Sequence, residues 1–176
     1  MTRHRAASIW SSVGEWMGGR ATRATEALDR AGVTYEIHVY DVAEKVGDGY
    51  GEAVAAAIGM APTRVFKTLV AEVDAEPVVA VIPVSRRLST RKLARVVGGK
   101  QCSLASPSVA ERLTGYVTGG ISPFGQRRSL RLTLDSSAAG FETIAVSGGR
   151  RGIQIELAPT SLIEVTGGAF ASIADD

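Results

Sequence analysis

VFKTLVAEV, DAE and PVVAVIPV run without a break through residues 65–84, and their reading decides the fold. The two apolar runs are strands and the polar triplet between them is a turn, so the segment is an antiparallel hairpin. In the first run Val65, Leu69 and Ala71 share one side with Lys67, and Phe66, Thr68 and Val70 share the other. A lone lysine inside a strand runs against β propensity. Two roles fit it: an edge-strand guard against aggregation, the commoner device, or a functional cation at the mouth of a pocket.

Outward from the hairpin, Thr22 caps a helix over 22–31, with Ala24, Ala27, Leu28 and Ala31 on one face and Gly32 at its end. Residues 33–40, VTYEIHVY, alternate Val33, Tyr35, Ile37 and Val39 with polar neighbours, as a half-buried strand does. A second helix covers 50–58 and closes at Gly59. On the other side, Ser89 caps a helix over 90–97 that stops at Gly98 and Gly99, and Ser106 with Pro107 opens another that ends near Thr114 and Gly115. Residues 116–125, YVTGGISPFG, read as a strand entering a glycine loop. LRLTL (130–134), FETIAVS (141–147) and IQIEL (153–157) read as three strands, and Pro159 opens a last helix over 160–165. Strands and helices do not alternate strictly, which argues against a doubly wound parallel sheet. The expected class is α+β: a mixed, largely antiparallel, barrel-like sheet with flanking helices.

The 176 residues suit one domain over 21–176, preceded by a flexible N-terminal extension over 1–20. A single cysteine, Cys102, rules out an internal disulfide, and it reads as a structural thiol between two helices. With only His4 and His38, a histidine-based metal site or a Ser–His–Asp triad would rest on His38 alone, so no metal and no other cofactor is expected. No apolar run approaches the roughly 20 residues of a membrane span. No membrane or DNA partner is expected, and the default location is a reducing cytoplasm.

Charge is unevenly placed. Residues 26–76 carry ten acids and four bases, whereas residues 85–134 carry ten bases and one acid, Glu111. A one-signed region of this size suits a polyanion; a solvated helix face with unrelated loop charges accounts for it equally well. Two glycine turns add to the picture. In GGISPFG (119–125), Gly119 and Gly120 allow close approach of backbone to a ligand, and successive amides can hold an oxyanion or phosphate. VSGGRRG (146–152) repeats the theme of a strand end, a serine, paired glycines and arginines. By itself each is also an ordinary tight connection. Neither Ser122 nor Ser147 has a sequence-visible base, so catalysis by these parts would rest on positioning and oxyanion stabilisation.

VFKTLV, TGYVTGGISPFGQ and VSGGRRGIQIEL, in that order and spacing, together with ATEALDRAGVTYEIHVY, resemble the YbaK family of Cys-tRNA(Pro) deacylases. That family is related to the editing domain of bacterial prolyl-tRNA synthetases, and the resemblance covers about residues 21–175. It implies that fold, and a trans-editing hydrolase or lyase acting on mischarged tRNA, Cys-tRNA(Pro) first of all. The need is physical: a pocket separates side chains as alike in size as cysteine and proline by only about 1–3 kcal/mol, so a second, hydrolytic sieve helps. The resemblance makes Lys67 the catalytic or substrate-positioning cation. It makes Gly119, Gly120, Ile121, Ser122 and Pro123 one pocket loop, Ser147, Gly148 and Gly149 a second, and Tyr40 and Thr68 pocket positions. It implies a reaction in which the substrate cysteine's own thiol attacks its ester carbonyl. Gln154 stands where some members carry an aspartate, which puts a carboxylate role in doubt and weakens the transfer of cysteine specificity.

Three readings remain open on the sequence. The first is the deacylase acting on Cys-tRNA(Pro), with an Ala-tRNA(Pro) deacylase using water as its variant. The second is a non-catalytic module binding tRNA or a synthetase, and the third a generic anion- or nucleotide-binding domain. Aminoacyl-tRNA is the expected partner, and a prolyl-tRNA synthetase a candidate one. Arg91, Lys92 and Arg95 on the 90–97 helix, with Arg127 and Arg128, are the expected tRNA-binding cations.

Overall fold

The computed structural model describes residues 20–42 and 47–176. The proposed extension over 1–20 therefore lies, apart from Arg20, outside the described residues.

The hairpin turns on two residues. Asp74 and Ala75 both have positive φ (50° and 70°), as a type I′ connection requires, and pair Val73 with Glu76. Alanine resists that conformation. The Asp74 carboxylate fixes it by accepting the Lys100 and Gln101 N–H groups, each at 2.9 Å. The strands so joined are β2 (Phe66–Val73) and β3 (Glu76–Pro83).

Around them, in chain order, come α1 (Arg23–Ala31), β1 (Glu36–Val39), α2 (Tyr50–Ala57), β4 (Arg87–Leu88), α3 (Thr90–Val97), β5 (Cys102–Leu104) and α4 (Pro107–Thr114). The chain ends with β6 (Arg131–Asp135), β7 (Ile144–Ser147), β8 (Ile153–Leu157), α5 (Pro159–Thr166), β9 (Ala169–Ala171) and β10 (Ala174–Asp175). Most helix limits follow the caps read from the sequence, although Ser89 at the start of α3 makes no side-chain cap bond and the stop at Gly167 was not foreseen. Thr22 takes the N–H of Thr25, Ser106 takes that of Val109, and Gly32, Gly98, Gly115 and Gly167 end their helices in the left-handed conformation.

Five strands form one sheet in the order β5-β2-β3-β6-β9, parallel at β3–β6 and β6–β9 and antiparallel elsewhere. A second, antiparallel sheet runs β1-β8-β7, and β10 pairs β4. The class is thus α+β with mixed sheets. They are not closed into a barrel: the two main sheets join at a lone parallel bridge, Val65 to Ala145. β3 is the centre of the molecule. Val79 and Val81 pack on one side against α1, β7 and β8, while Val78, Ala80 and Ile82 pack on the other against Leu93 and Ala94 of α3. A strand covered on both faces needs a continuous apolar run, and that is what PVVAVIP supplies.

Two local readings need correction, and a third, for Cys102, holds with a short strand added. Residues 116–125 form turns, not a strand, because Gly119 and Gly125 adopt positive φ and Tyr116 donates its hydroxyl to the Phe124 carbonyl, folding the segment on itself. Cys102 lies in β5 opposite Val73, half-buried against the α3 side of the sheet. Val39 is 59% exposed, since β1 is an edge strand whose end passes beyond the core.

Candidate functional site

Beyond the Val65–Ala145 bridge, β2 follows β3 while β7 turns off into the second glycine turn. On its other side β2 is covered by β5 only from Ala71 to Val73. Residues 66–70 therefore border a wedge. The Val84 N–H donates to the Val65 carbonyl (2.8 Å) and the Ala105 N–H to the Val70 carbonyl (3.0 Å). In an antiparallel ladder alternate residues turn their main chain to the same neighbour. Thr68 consequently shares Val70's direction and presents its N–H and C=O to the wedge.

A cavity of about 330 Å³ fills this wedge. It is lined by Val65, Phe66, Lys67, Thr68 and Val70 of the hairpin, Tyr50, Gly51 and Val54 of α2, and Ala105, Pro107 and Ala110 at the start of α4. Thr118, Gly119 and Ile121 of the glycine loop and Ser147 and Gln154 of the second sheet complete it. Its size suits a small ligand.

Lys67 and Thr68 reach it from opposite faces of β2. Burial pulls the Lys67 ammonium below the ordinary lysine pKa; nearby Glu52 partly restores it and Arg87 lowers it further. Among the described residues no carboxylate pairs with it. The edge-guard role fits poorly, because β2 is an inner strand and its uncovered stretch opens into the cavity. Ser147 and Gln154 face each other across β7 and β8, and His38 faces Gln154 from β1, so the three share one face of the second sheet. Gln154 is 6% exposed and makes no side-chain hydrogen bond among the described residues.

Of the expected pocket residues, Lys67, Thr68, Gly119, Ile121, Ser147 and Gln154 meet at the cavity. The others stand behind it. Tyr40 touches Tyr50, hydroxyl to hydroxyl at 3.2 Å. Ser122 is fully buried, with its Oγ accepting the Phe124 N–H. Pro123 lines a different depression, against α1 and α5. The Gly148 carbonyl accepts the Thr22 hydroxyl at 2.6 Å, tying the second glycine turn to the cap of α1. The Gly149 N–H donates to Ser147 Oγ, and no basic side chain accepts that serine's hydroxyl among the described residues.

The two turns pack directly on each other. A Cβ on Gly120 would lie 2.8 Å from the Arg150 Cα and 3.1 Å from its carbonyl carbon, so only backbone movement could admit one. We expect Gly120→Ala to spread the turns and lower catalytic efficiency by about 10²-fold, the scale of a 1 Å misplacement, with the chain still folded; steady-state kinetics and thermal melts would separate the two effects. Arg151, not singled out from the sequence, packs over Gly119 and lies 5.2 Å from the Tyr50 ring centroid, clamping α2 to the loop. Tyr50 was missed as well: a tyrosine opening a short helix carries no periodic signal of a pocket.

Of the expected tRNA-binding cations, Arg91, Arg95, Arg127 and Arg128 are exposed, and none lines the cavity. Lys92 is engaged elsewhere, with its Nζ 2.8 Å from both the Ala174 carbonyl and Asp175 Oδ1. Metal-type ligands gather at Glu36, His38 and Glu156. Glu156 is already held there by His38 (2.6 Å), Arg64 (3.2 Å) and Thr143, whose hydrogen bond keeps its carboxyl below the usual glutamate range, so the group reads as an ion-pair network. No helix among the described residues is long and apolar enough to cross a membrane.

The cavity at the parting of the two sheets thus holds a half-buried lysine between walls made in part by a glycine turn. The chain belongs to the aminoacyl-tRNA editing domain family, whose model matches residues 48–165. It is 37% identical over 153 residues to EbsC of Enterococcus faecalis, provisionally named a Cys-tRNA(Pro)/Cys-tRNA(Cys) deacylase, covering 86% of this chain and 92% of that one. It is 30% identical over 117 residues to the Multifunctional Ser/Thr-tRNA deacylase ProXp-y of Escherichia coli, covering 64% of this chain and 67% of that one. The fold superposes with a TM-score of 0.76 on a crystal structure provisionally described as a trans-editing enzyme for prolyl-tRNA synthetase, at 24% identity over 88% of this chain and 96% of that one.

Proposed function

We propose that this aminoacyl-tRNA editing domain removes cysteine from mischarged tRNA(Pro) in trans, using the substrate's own thiol as nucleophile. The observation that carries the reading is a cavity that holds a cation and buried polar groups but no nucleophile–base pair among the described residues. The substrate sulfur attacks the ester carbonyl carbon, a C–S bond forms, and the bond from that carbon to the ribose oxygen breaks. The thiol proton ends on the departing ribose hydroxyl, and cysteine leaves as a cyclic thioester. Cysteine suits this role because its thiol is a few per cent thiolate near pH 7 and strongly nucleophilic. The protein's part is to hold the ester, with Lys67 near the carbonyl or the terminal phosphate. The Thr68 N–H and the Gly119 and Ile121 amides face the developing oxyanion, the Gly120 N–H being already given to the Val117 carbonyl.

The test is single-turnover deacylation of Cys-, Ser- and Ala-tRNA(Pro). Release of cysteine alone supports attack by the thiol. Equal release of alanine means that water is the nucleophile, and equal release of serine alone means that a side-chain hydroxyl replaces the thiol or yields to water, a reading favoured by the similarity to a Ser/Thr-tRNA deacylase. Release of none would point to a binding module. A prolyl-tRNA synthetase is the proposed partner presenting the charged tRNA.

Exposed Arg91 and Arg95 on α3 are proposed to contact tRNA phosphates. Reversing both to Glu should weaken tRNA binding and reduce its salt dependence by about one slope unit per lost phosphate contact. Unchanged affinity in a salt titration would remove α3 from the interface.

A further inference from the structure

Among the described residues, two buried side-chain polar atoms have no hydrogen-bond partner: Thr68 Oγ1 and Gln154 Oε1. Both residues are over nine-tenths buried, 8% and 6% exposed, and both line the same cavity. Buried polar groups are otherwise paired almost without exception, because leaving one unpaired forfeits its bond to water. Two orphans falling by chance on one cavity, one from each sheet, is a poor account of them. A partner that arrives with the ligand is a better one.

Resting on the deacylase reading, we infer that this pair receives a small aminoacyl side chain bearing a polar hydrogen, a thiol or a hydroxyl, and discriminates against the methyl of alanine. The surroundings are apolar (Val54, Val65, Phe66, Val70, Ile121), so a methyl group would fit by size yet leave both oxygens unpaired. A thiol or hydroxyl pairs with them. The neutral carboxamide also carries a donor, so a hydroxyl can both give and accept a hydrogen bond there. The α-ammonium, common to every aminoacyl ester, has a counter-charge elsewhere: Asp48 is exposed at the cavity rim. Discrimination of this kind is steep, since a site built to bond a polar hydrogen rejects the analogue lacking it far better than an apolar pocket rejects a missing methylene.

The experiment uses tRNA(Pro) ending in 3′-amino-3′-deoxyadenosine, charged through a stable amide with Cys, Ser or Ala. Binding is measured to the full chain and to the isosteric or near-isosteric variants Thr68→Val, Gln154→Met and their combination. The wild type should bind the Ser or Cys form at least about tenfold more tightly than the Ala form. The double variant should bring that ratio close to one, with a melting temperature unchanged or raised because no internal bond is lost. Equal binding of all three forms by the wild type would overturn the inference. So would a ratio that survives the double variant, or melting temperatures that fall because the groups hold the fold together. Absence of turnover on the ester substrates, with the binding ratio intact, would instead defeat the deacylase reading and leave the pair's role standing.

Discussion

Lys67→Ala should reduce the rate of deacylation by about 10²- to 10³-fold, the usual cost of removing one preorganised electrostatic contact at a reacting carbonyl. The protein should remain folded. Its ammonium is half-buried without a carboxylate partner among the described residues, and burial disfavours its charged form. A lysine whose folded pKa lies below the unfolded value binds fewer protons folded than unfolded, so stability rises with pH across the interval between the two values. At neutral pH the charge therefore costs stability, and Lys67→Ala or Lys67→Met should melt at the same temperature or higher. Activity should move the other way. The contribution of Lys67 to the rate is complete where the ammonium is protonated and falls as pH rises through a pKa lower than that of an ordinary lysine, against the opposing rise in rate as the substrate thiol ionises. Lys67→Arg should not restore the rate, because a planar guanidinium does not occupy the position of a compact ammonium. Parallel rate–pH profiles and melts check all of this. Loss of rate together with loss of folding would assign Lys67 a structural role.

Asp135→Ala should destabilise the fold by roughly 4 kcal/mol, as expected when a buried carboxylate with several charge-assisted hydrogen bonds is removed. For a chain of this size that is a fall in melting temperature of about 10 °C. Asp135 is 2% exposed. One oxygen accepts the Ile173 and Ala174 N–H groups (2.9 and 3.0 Å), and the other accepts the N–H and hydroxyl of Ser137 (3.1 and 2.6 Å). It thereby fastens the C-terminal segment, including β10, to the end of β6. Burial alone would raise its pKa, but these hydrogen bonds outweigh burial and hold the carboxyl below the usual aspartate range. The stability it contributes is present above the unfolded pKa of about 3.9 and is lost as pH falls through the depressed folded value. Asp135→Asn keeps the acceptor for Ile173 and Ala174 but sets an amide against the Ser137 N–H. It should lose part of the stability and most of this acid dependence. Denaturant melts between about pH 2 and pH 7 are the measurement.

Lys67 shows how far a sequence goes. Its alternation with Val65 and Leu69 placed it correctly on a strand, yet pattern alone could not separate guard from functional cation. That depended on where β5 stops. Gln154 sits in a recognisable strand, but its lack of a hydrogen-bond partner is a property of its three-dimensional surroundings. Arg151 was visible beside paired glycines, while its clamp over Tyr50 joins residues a hundred positions apart.

The sequence by itself determined the hairpin, the helix caps at Thr22 and Ser106, the left-handed stops at Gly32, Gly98 and Gly115, and the strand pattern of IQIEL. These rest on interactions between residues within a few positions, where spacing is geometry. The tertiary structure alone decided that β3 pairs in parallel with β6, that β2 and β7 part to open the cavity, and that Tyr50 joins the expected pocket residues there. It also turned 116–125 from a strand into a folded loop and engaged Lys92 with the C-terminal segment. Such pairings follow from packing two apolar faces into one core, which couples distant residues and leaves no periodic trace in either partner.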